Sequence, residues 1–529
     1  MKKLITAALF IAALAALKSQ TLDEALKQID ETSLIERVKI ISSDEFLGRA
    51  PGHEGEEKTI DYLKKEFVKL GLKSPSGNYE QPFELTELTP EVTPVIDFIK
   101  DGKKVSLKHA DDFVAVTRQA REEIEVPPTE VIFAGYGINA PEYGWNDFEG
   151  VDVKNKIIIV MVNDPGFAAN DTSLFTGRAM TYYGRWTYKY EEAARQGAAG
   201  IFIIHETEAA SYPWEVVRNG RVGPQFFIED GDKNSSRAKF EGWITYDKAK
   251  EIFELAGLDL QNELENAAKP GFRSKSLGLK TSLKIKNKIS RIKTRNLIGI
   301  LPGSQKPDEY LLYMAHWDHL GYDPDLKGDN IYNGARDNAL GVASILEIAE
   351  AFSKVDHKRS IAFVALAAEE QGLLGSEYYV KNPVLPLEKT IAAFNIDGGN
   401  IFGKTKDVAV LGLGNSELDA YIKKTGGKYG KMIVPDPSPE AGGFYRSDHY
   451  NFVKAGIPSL YLRHGILAED GQTNISELSR RWTKEHYHKV SDEYNDDWNL
   501  SGAIEDIKIL FEIGYTLSND GNYPKILRR

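Results

Sequence analysis

Between residues 296 and 517 the chain repeats one pattern: a short, almost purely apolar run, a loop, then a stretch with helical spacing. The apolar runs are NLIGIL (296–301), YLLYMAH (310–316), SIAFVALA (360–367), TIAAFNID (390–397), DVAVLGL (407–413) and PSLYLRH (458–464). Runs apolar at nearly every position suit strands covered on both faces. With helical patterns at 337–354, 416–425 and 500–517, they predict an α/β sandwich around a mixed central sheet.

The ends of these runs carry the chemistry. In open α/β sheets ligands bind beyond the carboxyl ends of strands. Here His316 ends one run, with Trp317-Asp318-His319 after it; Glu369 and Glu370 follow another; Asp397 ends a third. Asp337 stands at a loop-to-helix junction, and His488 and Asp492 precede the last helix. One ionisable group at a strand end is ordinary loop polarity. Repeated groups of all three metal-ligating oxygen and nitrogen types point to a shared metal centre.

The rest of the composition narrows which metal. The chain has no cysteine and ten histidines. Disulfides, a thiol nucleophile, iron–sulfur clusters, Cys-type zinc and a lipidated N-terminal cysteine are all excluded. Imidazole and carboxylate suit catalytic zinc, which keeps a position open for water. A short carboxylate at a loop-to-helix junction suits a bridge between two zincs. Asp318, two residues after His316, shares its face by the strand period and is placed to orient it. Of adjacent Glu369 and Glu370, one ligates and the other takes the water proton and returns it to the leaving amine. The formal net charge of −12 argues against a general nucleic-acid binder.

Residues 1–20 place two lysines before an apolar run, Leu4 to Leu17, with small residues at Ala13, Ala15, Ala16 and Ser19. This predicts a signal peptide, a mature start near 16–21, and a periplasmic or secreted enzyme with no integral membrane segment after cleavage. Residues 22–72 read as helical, and 74–115 as mixed. From about 125, β-like runs (128–138, 156–162) alternate with helical stretches, and the Lys- and Ser-rich 268–295 reads as a return linker plus an edge strand. The expected division is 1–20 signal peptide, 21–114, a separate module at 115–280, and 281–529.

The segments AHWDHLG (315–321), NGARDNALG (333–341), AAEEQGLLGS (367–376), NIDGGN (395–400), RSDHYNF (446–452), AGIPSLYL (455–462) and YHKVSDEYN (487–495) resemble the co-catalytic di-zinc aminopeptidases, the type of bacterial leucyl aminopeptidase and aminopeptidase Y. The loop FLGRAPGHEG (46–55) matches the same family, and 115–280 looks like its inserted, β-rich protease-associated (PA) domain. The resemblance implies a zinc-peptidase α/β sandwich that binds two zinc ions. It implies removal of N-terminal residues from peptides by a metal-bound hydroxide. On matching positions, Asp337 bridges the metals, His316 and Asp397 complete one zinc, and Glu370 and His488 the other. Glu369 is the general base and Asp318 orients His316. His486 competes with His488, but the spacing to Asp492 favours His488.

Departures from the family pattern are Arg336, where relatives commonly carry an acidic residue, and Leu340, where a small one is common. A Tyr that assists some relatives aligns with Phe444, leaving Tyr445 as a substitute. Tyr445, Asp448 and His449 are candidate pocket residues. His53, His109, His205 and His357 read as packing or surface residues, as do the aromatics of 177–188; His319 and His464 are left open. The rival readings are a carboxypeptidase or dipeptidase, a glutaminyl-cyclase-like enzyme on the same fold, and a non-catalytic receptor-like relative. Substrate preference, natural metal and oligomeric state are not legible.

Overall fold

A computed structural model describes residues 21–527; the expected signal peptide at 1–20 lies outside them. The chain forms two compact units. The first contains the described residues up to Pro82, then Thr294–Pro435 and the chain from Asp448 on. The second contains Phe83–Lys293 and Asp436–Ser447. No helix among the described residues is long and apolar enough to cross a membrane.

The first unit is built on a mixed sheet. Strand Lys306–His316 lies between Arg359–Leu366 and Thr390–Asn395, parallel to both, and Ser459–His464 continues the parallel set. Antiparallel partners flank it: the 297–301 end of Lys275–Leu301 on one side, and Asp407–Leu411 on the other, where Met432–Pro435 pairs parallel at the edge. The register sets His316 beside Leu366 and Met314 beside Asn395, so three chain reversals gather at one end of the sheet. All six expected strands form. The short Met432–Pro435 strand and the helices Leu374–Lys381, His449–Lys454 and Ile475–His486 come in addition. Helix Leu340–Phe352 is buried nearly all round, because Glu31–Ile41 and Ser501–Asp520 cover the faces the sheet leaves. Its Glu347 is fully buried and pairs with Arg37.

The second unit has a parallel centre: Glu123–Phe133, Ile157–Met161, Gly200–His205 and Phe240–Thr245, with Phe113–Val116 antiparallel at one side. Ile157 and Ile159 face a core with Phe202 and Phe253, while Ile158 and Val160 face a second core with Trp243. This is why IIIVM is apolar throughout.

The unit is larger than the expected 115–280 module. The mixed stretch before residue 115 forms strands Val95–Lys100 and Lys103–Lys108, which pair with each other, and Phe113–Val116, which joins the sheet. The expected edge strand after 268 is also corrected. Residues 275–286 pair antiparallel with Glu123–Phe133, and Lys280 pairs with Ile99 of Val95–Lys100, so the strand has partners on both sides. Leu277, Leu279, Leu283 and Ile285 alternate into the core, while the intervening lysines keep the other face wet.

Candidate metal centre

Each expected ligand sits where a buried strand or helix reverses. His316 is the last residue of its strand and is 1% exposed. Ala368, at φ +57, turns the chain after Arg359–Leu366 and presents Glu369 and Glu370. Asp397 follows Thr390–Asn395, and Asp337 lies just before Leu340–Phe352, in a loop whose Asp337–Asn338 peptide is cis. His488, at φ +56, follows helix Ile475–His486.

These side chains converge. His316 Nε2 lies 3.3 Å from Asp337 Oδ1 and 3.6 Å from Asp397 Oδ1. His488 Nε2 lies 3.3 Å from Asp337 Oδ2 and 3.1 Å from Glu370 Oε2. Asp337 thus offers one oxygen to each histidine. Among the described residues, His316, Glu369 and Asp397 form one group of donor atoms within 4.8 Å, and His319, Asp337 and Glu370 form another.

The donors fit a cation. His316 Nδ1 donates to the Asp318 carbonyl at 3.2 Å, which leaves Nε2 as a lone pair. That buried Nε2 makes no hydrogen bond and faces two carboxylate oxygens. A lone pair aimed at anions in a buried site needs a positive charge between them. A nitrogen and oxygen set without sulfur suits zinc.

Several residues hold the ligands in place. The Asp318 carboxylate is 3.7 Å from His316 Nδ1 and accepts the amides of Glu369 and Glu370 at 3.2 and 3.3 Å. It therefore fixes both glutamates as well as facing the histidine. The Asp492 carboxylate accepts the amides of Arg336 at 2.9 Å and Asp337 at 3.1 Å. His319 Nδ1 donates to Glu370 Oε1 at 2.7 Å. The fully buried Arg49 donates to the carbonyls of Ile41, Trp317 and Gly334 at 2.9 Å and of Asn333 at 2.5 Å. Gly334 has φ +53, and a Cβ there would sit 2.2 Å from the Asp337 carbonyl oxygen, so only glycine fits.

Burial opposes the charge on Glu369 and Asp337. It pushes Glu369 well above the usual carboxylate range, and the charges of Asp397, Glu370 and Asp448 add to it. For Asp337 burial is overcome by the neighbouring imidazoles of His316, His488 and His319, which hold it well below that range. A bound dication favours the ionised form of every carboxylate around it.

His488, and not His486, faces the carboxylates; His486 Nδ1 donates instead to the Ser491 carbonyl at 2.9 Å. Asp448 accepts from Ser376 Oγ at 2.5 Å, and the His449 ring lies 4.8 Å from Tyr461. Tyr445 belongs to the second unit, against Tyr182. Arg336 donates to the Gly399 carbonyl at 3.0 Å and lies over the rings of Trp482 and Phe402 at 4.4 and 5.0 Å. His205 and His357 bond backbone carbonyls, of Tyr212 at 3.0 Å and Arg359 at 2.7 Å. Sequence reasoning left His319 open and gave Arg49 no role. The one signal for Arg49 was its place in FLGRAPGHEG.

Residues 296–511 match the profile of peptidase family M28. The chain is 32% identical over 170 residues to aminopeptidase YwaD of Bacillus subtilis, covering 31% of this chain and 34% of that protein. It is 27% identical over 523 residues to aminopeptidase NAALADL1 of Rattus norvegicus, covering 84% of this chain and 65% of the relative. The match thus spans about a third of YwaD and just under two thirds of NAALADL1. In fold it is similar to an aminopeptidase from Aneurinibacillus sp. strain AM-1, with a TM-score of 0.55 at 18% identity over 95% of this chain and 97% of the other.

Proposed function

Through residues 296–511 the chain belongs to peptidase family M28, and from that premise we propose that it is an exported di-zinc aminopeptidase acting on peptides. One observation carries the reading: Asp337 turns one oxygen to His316 and the other to His488, each at 3.3 Å. A bridging carboxylate between two imidazoles is what a pair of metal ions requires. Export rests on the charged-then-apolar residues 1–20. The second unit is read as the PA-like module.

His316, Asp337 and Asp397 would hold one zinc, and Asp337, Glu370 and His488 the other. Zinc bound there supplies Lewis-acid polarisation of a peptide carbonyl and acidifies a water. The chain's own groups do the rest. Glu369 takes the proton of the attacking water on its carboxylate and delivers it to the leaving amine. Asp318 holds the Glu369 and Glu370 amides, which keeps base and ligand apart. His319 and Asp492 fix Glu370 and the Asp337 loop.

The test is metal content with an end-specific assay. Two zincs per chain, and chelator-sensitive release of the first residue from free but not N-blocked peptides, are expected. One zinc with pyroglutamate formation, or release from the C-terminus of N-blocked peptides, overturns the proposal.

A further inference from the structure

The residue before the bridging Asp337 is an arginine held as a fixed fork. Arg336 is 8% exposed, and every group that holds it belongs to the first unit. Its Nε donates to the carbonyl of Gly399, two residues beyond Asp397, at 3.0 Å. The rings of Trp482, on helix Ile475–His486, and of Phe402 lie against the guanidinium, their centres 4.4 and 5.0 Å from Cζ. The two Nη nitrogens make no hydrogen bond or ion pair to any described residue, and they keep access to solvent. Asp492, the acid of the neighbouring loop, is occupied elsewhere: its carboxylate oxygens accept the backbone amides of Arg336 and Asp337.

This geometry suits an incoming carboxylate. A nearly buried cation without a counterion is costly, and an anion across its two Nη atoms removes that cost. With Nε bonded and aromatic rings against the guanidinium, the Nη edge is what remains for a planar, bidentate acceptor. There is room beside it. A Cβ on Gly398, between Asp397 and Gly399, would meet no atom within 4 Å. The first residue of a peptide has to lie against the metal ligands for its carbonyl to be attacked, so a group anchored beside Asp337 and Asp397 meets that residue's side chain. The carboxylates of Asp337, Asp397, Glu369 and Glu370 would repel an acidic side chain there, and a fixed cation is what admits one.

We propose that Arg336 is a specificity residue that binds a carboxylate on the side chain of the N-terminal residue, so that peptides beginning with Glu or Asp are preferred over those beginning with the uncharged Gln or Asn. The inference rests on the aminopeptidase reading and names its substrate class. An arginine that only staples the Gly399 loop to the helix of Trp482 would affect all substrates alike, which separates the two roles.

The experiment compares zinc-loaded wild type, Arg336→Gln and Arg336→Lys on the tripeptides Glu-Ala-Ala, Gln-Ala-Ala and Ala-Glu-Ala. The wild-type ratio of kcat/KM, Glu-first over Gln-first, is expected to be about ten- to a hundredfold. It should fall towards one in Arg336→Gln, with Arg336→Lys between them because it keeps the charge and loses the fork. A wild-type ratio of one with normal release of the first residue overturns the inference and leaves the aminopeptidase reading standing, and that result needs no variant to fold. Faster cleavage of Ala-Glu-Ala than of Glu-Ala-Ala by wild type overturns the assignment to the first residue. Equal loss on the Glu-first and Gln-first peptides in Arg336→Gln, with the ratio intact, makes the arginine structural and also overturns it. Calorimetry on the same proteins with L-glutamate and L-glutamine gives a readout independent of turnover. Glutamate is expected to bind wild type about tenfold more tightly than glutamine, and the two to bind Arg336→Gln alike. That result supports the carboxylate site even if no peptide is cleaved and the aminopeptidase reading falls. Equal binding of the two to wild type overturns the site.

Discussion

His319 Nδ1 lies 2.7 Å from Glu370 Oε1, so an imidazole three residues beyond one strand end holds the carboxylate presented by its neighbour. Glu370 has its other oxygen 3.1 Å from His488 Nε2. The hydrogen bond fixes which oxygen is left for metal. Outer partners of this kind typically contribute about ten- to a hundredfold in metal affinity. His319→Ala is expected to weaken zinc binding by that factor, read by chelator competition, with little change in the urea midpoint. Unchanged zinc affinity would remove His319 from the site.

Glu369 is the acid of this cluster placed to move a proton. Its amide is held by Asp318 at 3.2 Å, and its carboxylate reaches the His316 and Asp397 group within 4.8 Å. Glu369→Gln preserves shape and removes the basic oxygen. The expected loss in kcat is about a hundred- to ten-thousandfold, with both zincs retained by metal analysis. Loss of zinc in this variant would make Glu369 a ligand.

Arg49 ties three backbone segments together. Its side chain reaches the carbonyls of Ile41, Trp317, Asn333 and Gly334 with no exposed surface. Arg49→Met strands four buried acceptors beside the His316 and Asp337 loops. We expect a loss of about 3 kcal/mol or more in urea unfolding, and weaker zinc binding. Arg49→Lys should rescue little, since one ammonium cannot span four acceptors fixed by a planar fork. Full rescue by lysine would mean that charge, not geometry, is what Arg49 supplies.

The ligand positions were legible because each one interrupts an apolar strand at its end, and strand neighbours then bring those ends together. His316, Glu369, Glu370 and Asp397 needed only the parallel order of three strands. His319 was not legible, because its partner is set by the register of Lys306–His316 against Arg359–Leu366. Arg49 lies 268 residues from Trp317, and no local pattern announces such a contact. The Lys275–Leu301 strand departs from the expected linker and edge strand in its length and in having partners on both sides, for a different reason. Its lysines and serines resemble a solvated linker, while the information lay in the two-residue alternation of Leu277, Leu279, Leu283 and Ile285.

Glu309 gives a pH signature remote from the metal centre. It lies 2.6 Å from Arg359, which is fully buried, and accepts from Tyr523 Oη at 2.7 Å. Burial works to raise its pKa, but hydrogen bonds from Tyr523, Arg359 and Lys306 overcome it and bring the group to about 2. An unfolded glutamate titrates near ~4.3. The folded pKa is the lower one, so the native state binds fewer protons. The stabilisation is therefore complete above the unfolded value and is lost as pH falls towards the folded one. Glu309→Gln should cost about 1–2 kcal/mol at neutral pH, a figure kept modest by the partial exposure of the pair. The difference between wild type and variant should hold from pH 7 to about 5, then shrink to nothing between about 4.3 and 2. Urea midpoints of both proteins across that range provide the check. A difference that persists at pH 2 would mean the variant acts through packing and not through the carboxylate's charge.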